Sequence, residues 1–227
     1  LSTIREALEF AGTPYEVHVA TEIPGSLTLD TLRAGTRGFY NGIILTSTTL
    51  GYTPDGGLTW LSALDTAEWA VLEQYERDFG ARQLNWYGFP GPSQGLNWSH
   101  ASANTTATPL TADWTAAAAS VFPYLNTSNS LAISNVWTYL ATPLDTNTTV
   151  WLQDAQGNAL LSSATLTDGR EVATMTFDSA NYLISSSVVR HGLIRWVSQG
   201  MFLGQRHTYL VAQVDDVFLA DDIYTGG

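Results

Sequence analysis

The chain has 227 residues, of which 44% are hydrophobic and 11% aromatic, so it can bury a substantial core. Its formal net charge is −12 and its nine basic residues are all arginine, which argues against nucleic acid and anionic membranes as partners. The chain has no cysteine, which excludes disulfides and thiolate metal sites, and no apolar run approaches the roughly 18 residues that span a bilayer.

The first 90 residues predict helices that alternate with strands. We expect a short helix that ends at Gly12, strands over residues 15–19 and 39–46, and a helical turn at residues 29–32. A longer helix begins at Asp65, because apolar residues then recur at helical spacing, and a strand over residues 82–87 follows it. This rhythm indicates a parallel sheet. We predict an α/β fold in which residues 1–110 form a truncated flavodoxin-like layer without its opening strand.

The second part of the chain predicts a β-rich organisation. We expect a loop over residues 93–111 and strands over residues 131–140, 149–153, 159–164 and 172–177. Residues 111–180 are interpreted as a sandwich-like insertion or module, although the strand at residues 172–177 and the helix after it can instead complete the first layer. A helix over residues 186–199 lies in a connecting region, residues 181–206, and residues 207–227 begin a further domain.

Two adjacent carboxylates, Asp215 and Asp216, follow an apolar run at residues 209–214 that predicts a buried strand. Carboxylates at a strand end can divide labour, since one can bind a metal while the other takes a proton from bound water. The same pair can simply cap a following turn. His207 lies at the opposite end of the strand, and we expect none of the four histidines to be a metal ligand.

The chain is rich in amphipathic aromatic residues, with eight Trp and ten Tyr. Such rings stack on the apolar faces of sugars but are also good core anchors. The candidates for carbohydrate contact border the predicted loop and β-rich region: Trp86, Trp98, Trp114 and Trp137.

Two segments, residues 193–204 and residues 213–219 with Gln213-Val-Asp-Asp, resemble the extracellular exopolysaccharide deacetylases that act on galactosaminogalactan. Residues 40–45 give a weaker local likeness. In that family, an N-terminal region associated with carbohydrate binding precedes a metal-dependent deacetylase barrel. The resemblance implies that Asp215 is the general base, that Asp216 binds a divalent metal, usually zinc, and that the other ligands lie after Gly227. Residues 207–227 would then begin the deacetylase domain.

The resulting hypothesis is the N-terminal part of a secreted, metal-dependent polysaccharide N-deacetylase, a carbohydrate esterase. Its partner would be a polysaccharide that contains N-acetylated amino sugars, and this fragment would supply recognition and be inactive alone. Two alternatives stay open. The chain can be a carbohydrate-binding module without catalysis, or an inactive amidotransferase-like domain with a structural role.

Overall fold

The computed structural model describes residues 1–201, which are organised around a large mixed β-sheet. The helices are α1 (Ser2–Ala11), α2 (Leu29–Leu32), α3 (Thr66–Phe79), α4 (Ala118–Val121) and α5 (Ile184–Val197). The strands of the first half are β1 (Arg33–Ala34), β2 (Arg37–Gly38), β3 (Gly42–Leu45), β4 (Gly51–Tyr52), β5 (Leu61–Ser62) and β6 (Arg82–Asn85). The strands of the second half are β7 (Ala101–Asn104), β8 (Leu110–Trp114), β9 (Leu131–Ile133), β10 (Trp137–Leu140), β11 (Thr148–Asp154), β12 (Ala159–Thr165) and β13 (Glu171–Met175).

Seven strands form the main sheet in the order β3-β6-β13-β12-β11-β8-β9. The first three are parallel, and the remaining pairs are antiparallel; β11, β12 and β13 form a meander, and β8 and β9 are added beside β11. Three further pairs, β1–β2, β4–β5 and β7–β10, form small sheets of their own. The α/β prediction is therefore confirmed at the level of a mixed α/β fold.

Apart from β10, which pairs with β7, the strands of the predicted β-rich module extend this same sheet, and the sandwich-like arrangement expected for residues 111–180 is not confirmed. The reason is the pairing of β13, which lies between β12 on one side and β6 on the other. Residues 172–177 therefore complete the first layer, which was the open alternative. The domain boundary at residue 110 stays a prediction, but the hydrogen-bonded sheet runs across it.

Local sequence signals explain the long helices. Asp65 accepts a hydrogen bond from the backbone of Glu68, and the Glu68 side chain accepts one from the backbone of Asp65, so α3 begins with a complete capping box. Gly80 and Gly12 follow α3 and α1 in the left-handed conformation that glycine adopts without steric cost. These helix ends were predicted and are confirmed.

Helices cover both faces of the parallel strands. On one face, α1, α4 and α5 pack over a core that includes Leu84, Trp86 and Phe177. On the other face, α2 and α3 pack over a smaller core that includes Leu45 and Tyr75. The parallel part of the sheet is thus buried between two layers of helix, as expected for α/β proteins.

Three predicted elements differ from the structure. Residues 15–19 form no strand, because no neighbouring strand of the described chain pairs with them. The loop expected at residues 93–111 contains β7, whose main-chain groups pair with β10. The strand expected at residues 131–140 is divided into β9 and β10 at Asn135, which has a φ of 60°.

No helix within residues 1–201 is long and apolar enough to cross a membrane. The predicted strand at residues 209–214, Asp215, Asp216 and the predicted domain start at residue 207 lie outside the described residues.

Candidate functional site

The loops at the carboxyl ends of the three parallel strands meet at one end of the sheet. Thr48 lies after β3, Tyr87 to Phe89 after β6, and Asp178 after β13. The Thr48 hydroxyl accepts a hydrogen bond from the backbone N–H of Phe89 and donates to its carbonyl, at 3.1 and 3.2 Å. This end of an open α/β sheet is where such folds bind ligands.

Strand β10 closes over this end of the sheet. The backbone N–H of Tyr139 donates to Thr176 at 2.9 Å, and the backbone N–H of Asp178 donates to Trp137 at 3.0 Å. β10 is therefore fixed to the chain that leaves β13, with β7 on its other side. Because alternate residues of a strand share a face, Trp137 and Tyr139 point to the same side of β10.

Together these segments build an aromatic surface, which we define as Tyr87, Phe89, Trp98, Trp137 and Tyr139. Tyr87 and Tyr139 are stacked, with ring centroids 5.6 Å apart, and Phe89 meets Tyr139 edge-on at 5.0 Å. Trp98 continues the row, 6.4 Å from Phe89. The exposed fractions are 66% for Trp98 and 45% for both Phe89 and Trp137, so the outer rings present wide apolar faces to solvent.

Close backbone packing holds the surface in place. A Cβ added at Gly91 would lie 2.7 Å from Cζ3 of Trp98, so the indole rests directly on the Gly91 main chain. A Cβ at Gly88 would lie 2.5 Å from Cγ2 of Thr174, so this turn also fits only glycine. The rings are thus preorganised, which lowers the entropy lost when a ligand binds.

Polar groups lie at the edge of the aromatic surface. Burial, a hydrogen bond with Tyr139 and the negative charge of Asp178 raise the pKa of Tyr87 well above its usual value, so this phenol stays neutral over the physiological range. The side chain of Asp178 is exposed and accepts a hydrogen bond from the backbone of Ser179 at 2.7 Å. The site thus combines apolar ring faces with a phenol and a carboxylate that can pair with ligand hydroxyl or amide groups.

Two of the four predicted tryptophans are in this surface, Trp98 and Trp137. Trp86 is only 3% exposed, and its indole N–H donates to the hydroxyl of Ser179 at 2.8 Å. Its carbohydrate-contact assignment was wrong, because this ring is part of the core between the sheet and α5. Trp114 is partly buried and packs against Phe122, with ring centroids 5.0 Å apart, so it too belongs to the core layer.

The sequence reasoning missed Tyr87, Phe89 and Tyr139. Strand alternation could have identified two of them, since Tyr139 lies two positions from Trp137 and Tyr87 is out of phase with the buried pair Leu84 and Trp86. Phe89 lies between glycine and proline in a turn, where an aromatic residue has little core to enter.

Within residues 1–201 there is no group of three or more His, Cys, Asp or Glu side chains that could hold a metal ion. The predicted members of the zinc site implied by the resemblance, Asp215 and Asp216, lie outside the described residues, so that site stays a prediction.

Comparison with known proteins points to carbohydrate binding. The sequence model of the Agd3 CBM87 family, a carbohydrate-binding module, matches residues 2–196. The crystal structure of Agd3, a novel carbohydrate deacetylase, matches with a TM-score of 0.81 and 26% identity over 99% of this chain and 34% of that one. The chain thus spans about a third of that protein's length.

A cytoplasmic protein from Salmonella typhimurium LT2 matches with a TM-score of 0.54 and 12% identity, over 90% of this chain and 87% of its own. At that identity the likeness concerns the fold alone. A sequence comparison with curated proteins gives no significant match.

Proposed function

Because the chain belongs to the Agd3 CBM87 family of carbohydrate-binding modules, we propose that it binds a polysaccharide containing N-acetylated amino sugars on the aromatic surface. The observation that carries this proposal is the row of Tyr139, Phe89 and Trp98, whose rings adjoin and reach the solvent at the carboxyl ends of the parallel strands.

A sugar ring has an apolar face of C–H groups and an equatorial rim of hydroxyl or acetamido groups. The apolar face fits against Trp98 and Phe89, where stacking removes apolar area from water. The rim groups can donate hydrogen bonds to the carboxylate of Asp178. They can also donate hydrogen bonds to the Tyr87 hydroxyl or accept one from it. A row of rings favours a chain of sugars over a single one, since each ring adds a weak contact.

The proposal is tested with a matched pair of variants, Phe89→Ala and Phe39→Ala. The two residues have similar exposure, 45% and 49%, but Phe39 precedes β3 at the opposite end of the sheet. Affinity electrophoresis in gels containing an N-acetylgalactosamine polymer should show binding of the parent and of Phe39→Ala. Phe89→Ala should bind about tenfold more weakly, which corresponds to about 1.4 kcal/mol.

Trp98→Ala should weaken binding in the same way, because it removes the most exposed ring of the surface. Equal retardation of the parent, Phe89→Ala and Trp98→Ala would refute this location of the site. Absence of retardation of the parent by acetylated, partly deacetylated and neutral glucan polymers would refute the binding function itself.

We also propose that this chain is part of a longer protein, a secreted polysaccharide N-deacetylase, in which the module binds the polysaccharide substrate. Its support is the likeness to Agd3 and the resemblance around Asp215 and Asp216, the proposed base and zinc ligand. In the full-length protein, Asp216→Ala should abolish acetate release while polymer binding persists. Undiminished, chelator-sensitive acetate release by Asp216→Ala would refute the assignment.

We also propose two further features of the fold. Three parallel strands between two helix layers support a flavodoxin-like arrangement of the first half, and residues 207–227 would supply the first strand of the deacetylase barrel. A crystal structure of the full-length protein would test both points.

A further inference from the structure

The connection between β3 and α3 contains the hairpin of β4 and β5, which places large apolar side chains in solvent. Leu58 is 87% exposed and Trp60 is 70% exposed, and no other tryptophan within residues 1–201 is as exposed as Trp60. Such exposure is unfavourable by itself, because it leaves apolar area in contact with water. Apolar side chains grouped on the surface in this way usually mark a binding site.

The hairpin lies at the same end of the sheet as the aromatic surface. Thr48 follows the carboxyl end of β3 and is hydrogen-bonded to Phe89 of that surface. The backbone N–H of Ala63 donates to Leu50 at 3.0 Å, which closes the base of the hairpin beside Thr48. Trp60 lies a short way along the chain from this base, so the Cα atoms of Thr48 and Trp60 are at most about 24 Å apart. A polymer of several sugar units can span that distance.

Hydrogen bonds to one carboxylate stiffen the tip of the hairpin. Asp55 accepts hydrogen bonds from the backbone N–H groups of Leu58 and Thr59, at 3.1 and 2.9 Å. It also accepts hydrogen bonds from the hydroxyl groups of Thr53 and Thr59. The hydrogen bonds from Thr59 lower the pKa of Asp55 from 3.8 to about 2, so the carboxylate stays ionised and keeps these donors at physiological pH. The tip is therefore preorganised.

Two further contacts fix the second strand of the hairpin and the Trp60 ring. The indole N–H of Trp69 on α3 donates to the hydroxyl of Ser62 at 2.9 Å, which joins β5 to the helix layer. A Cβ added at Gly51 would lie 3.8 Å from Cε3 of Trp60, so this ring lies against the main chain of the paired strand. Trp98 also rests on the main chain of a glycine. The Trp60 ring is thus supported from behind while most of it stays open to solvent.

We propose that Trp60 is a second contact for the polysaccharide, separate from the aromatic surface; this inference rests on the proposed function. A polymer that lies along Trp98 and Phe89 passes Thr48 and reaches the hairpin, where a further sugar ring stacks on the indole of Trp60. The second contact forms on a chain that is already held, so its effective concentration is high and the two contacts strengthen binding together. The module therefore binds long polymers more tightly than short oligosaccharides.

The indole N–H resonances of the tryptophans test the second contact without any variant. In a titration of the isotope-labelled chain with a long N-acetylgalactosamine oligosaccharide, the signals of Trp60 and Trp98 should both shift. Trp151 is 2% exposed and is the internal control, so its signal should stay in place. In affinity electrophoresis with the polymer, Trp60→Ala should bind about tenfold more weakly than the parent. Trp60→Phe should keep most of the affinity, since it retains an aromatic face, and Phe39→Ala should bind like the parent.

A shift at Trp98 without one at Trp60 would overturn the second contact and leave the proposed function standing. Equal retardation of the parent and Trp60→Ala, with weaker binding of Trp98→Ala, would have the same meaning. Absence of any retardation of the parent would overturn both. If another domain of a longer protein covers the hairpin, Trp60→Ala in that protein would lower the urea concentration at the midpoint of unfolding without weakening polymer binding, and this result would also overturn the proposal.

Discussion

Glu76 is a buried carboxylate on α3 whose ionisation should control the stability of the fold. It is 1% exposed, and its Oε2 lies 3.2 Å from Nη1 of Arg170. Its Oε1 is buried and has no hydrogen-bond partner among the described residues. Arg170 also pairs with Asp168 and Glu73, so Glu76 shares the one counter-charge that it has within residues 1–201 with two other carboxylates.

Burial raises the pKa of Glu76 from 4.5 to about 7, because the attraction of Arg170 only partly offsets the loss of hydration. Burial alone would lower the pKa of Arg170, but its three carboxylates outweigh this and raise it. The pair therefore favours the arginine charge and disfavours the Glu76 charge. The Glu76 charge is the disfavoured one because its second oxygen has no donor among residues 1–201.

Since the folded-state pKa of Glu76 is the higher one, its contribution to stability is fully present below pH 4.5 and is lost as pH rises through about 7. At 1.36 kcal/mol per pKa unit the total is about 3 kcal/mol. About 2 kcal/mol of it falls between pH 5.5 and 8.5. The pKa of Asp168 is lowered from 3.8, so its titration lies below this window.

The assay is urea unfolding of the parent chain and of Glu76→Gln at pH 5.5 and 8.5. Raising the pH should lower the unfolding free energy of the parent by about 2 kcal/mol relative to Glu76→Gln, which has no charge to bury. Glu73→Gln is the matched control, since Glu73 faces the same arginine but its side chain is 42% exposed. Such exposed pairs contribute about 0–1 kcal/mol, so Glu73→Gln should keep the parent's pH dependence. Parallel pH profiles for the parent and Glu76→Gln would refute this account.

Two glycine substitutions give further predictions. Gly91→Ala should displace the Trp98 ring and weaken polysaccharide binding several-fold, while the urea concentration at the midpoint of unfolding changes little. Affinity electrophoresis and urea unfolding on one preparation measure the two effects. Unchanged binding would mean that the orientation of this ring is unimportant. Gly192→Ala places a methyl group against the fully buried ring of Phe122 and should cost about 1–3 kcal/mol in urea unfolding, with binding retained by the folded fraction. A stabilising effect at Gly192 would mean that the α4–α5 contact has more room than the structure indicates.

Local sequence signals were sufficient to predict those helices and strands that residues within or next to the element stabilise. Helix α3 could be predicted at both ends because Asp65, Glu68 and Gly80 act within one turn of the helix end. The hairpin strands β11 and β12 could be predicted from their apolar residues and the polar turn between them.

Elements that depend on distant partners could not be predicted. Strand β7 has the sequence Ala-Ser-Ala-Asn, which has no β preference, and it is a strand because β10 pairs with it. Residues 15–19 show the opposite case, since their alternating pattern is typical of a strand but no strand in the described part of the chain pairs with them.

The binding surface was only partly predictable for the same reason. Composition indicated exposed aromatic residues, but the side on which each ring lies depends on how β10 and the turn after β6 meet. Their relative position depends on hydrogen bonds such as Tyr139 to Thr176 and Thr48 to Phe89, which join residues about 40 positions apart in the sequence.

The parallel pairing of β6 with β13 also determines when this chain can fold during synthesis. Gln83 pairs with Val172, about 90 residues later, and loops of this length close slowly. At about 5–20 residues per second, a ribosome needs roughly 5–20 s to produce the partner of β6. Throughout that interval β6 can pair with β3 but lacks its second neighbour, β13, and the cover of α5. The layer built on β3 and β6 therefore stays incomplete until β13 and α5 have left the ribosome.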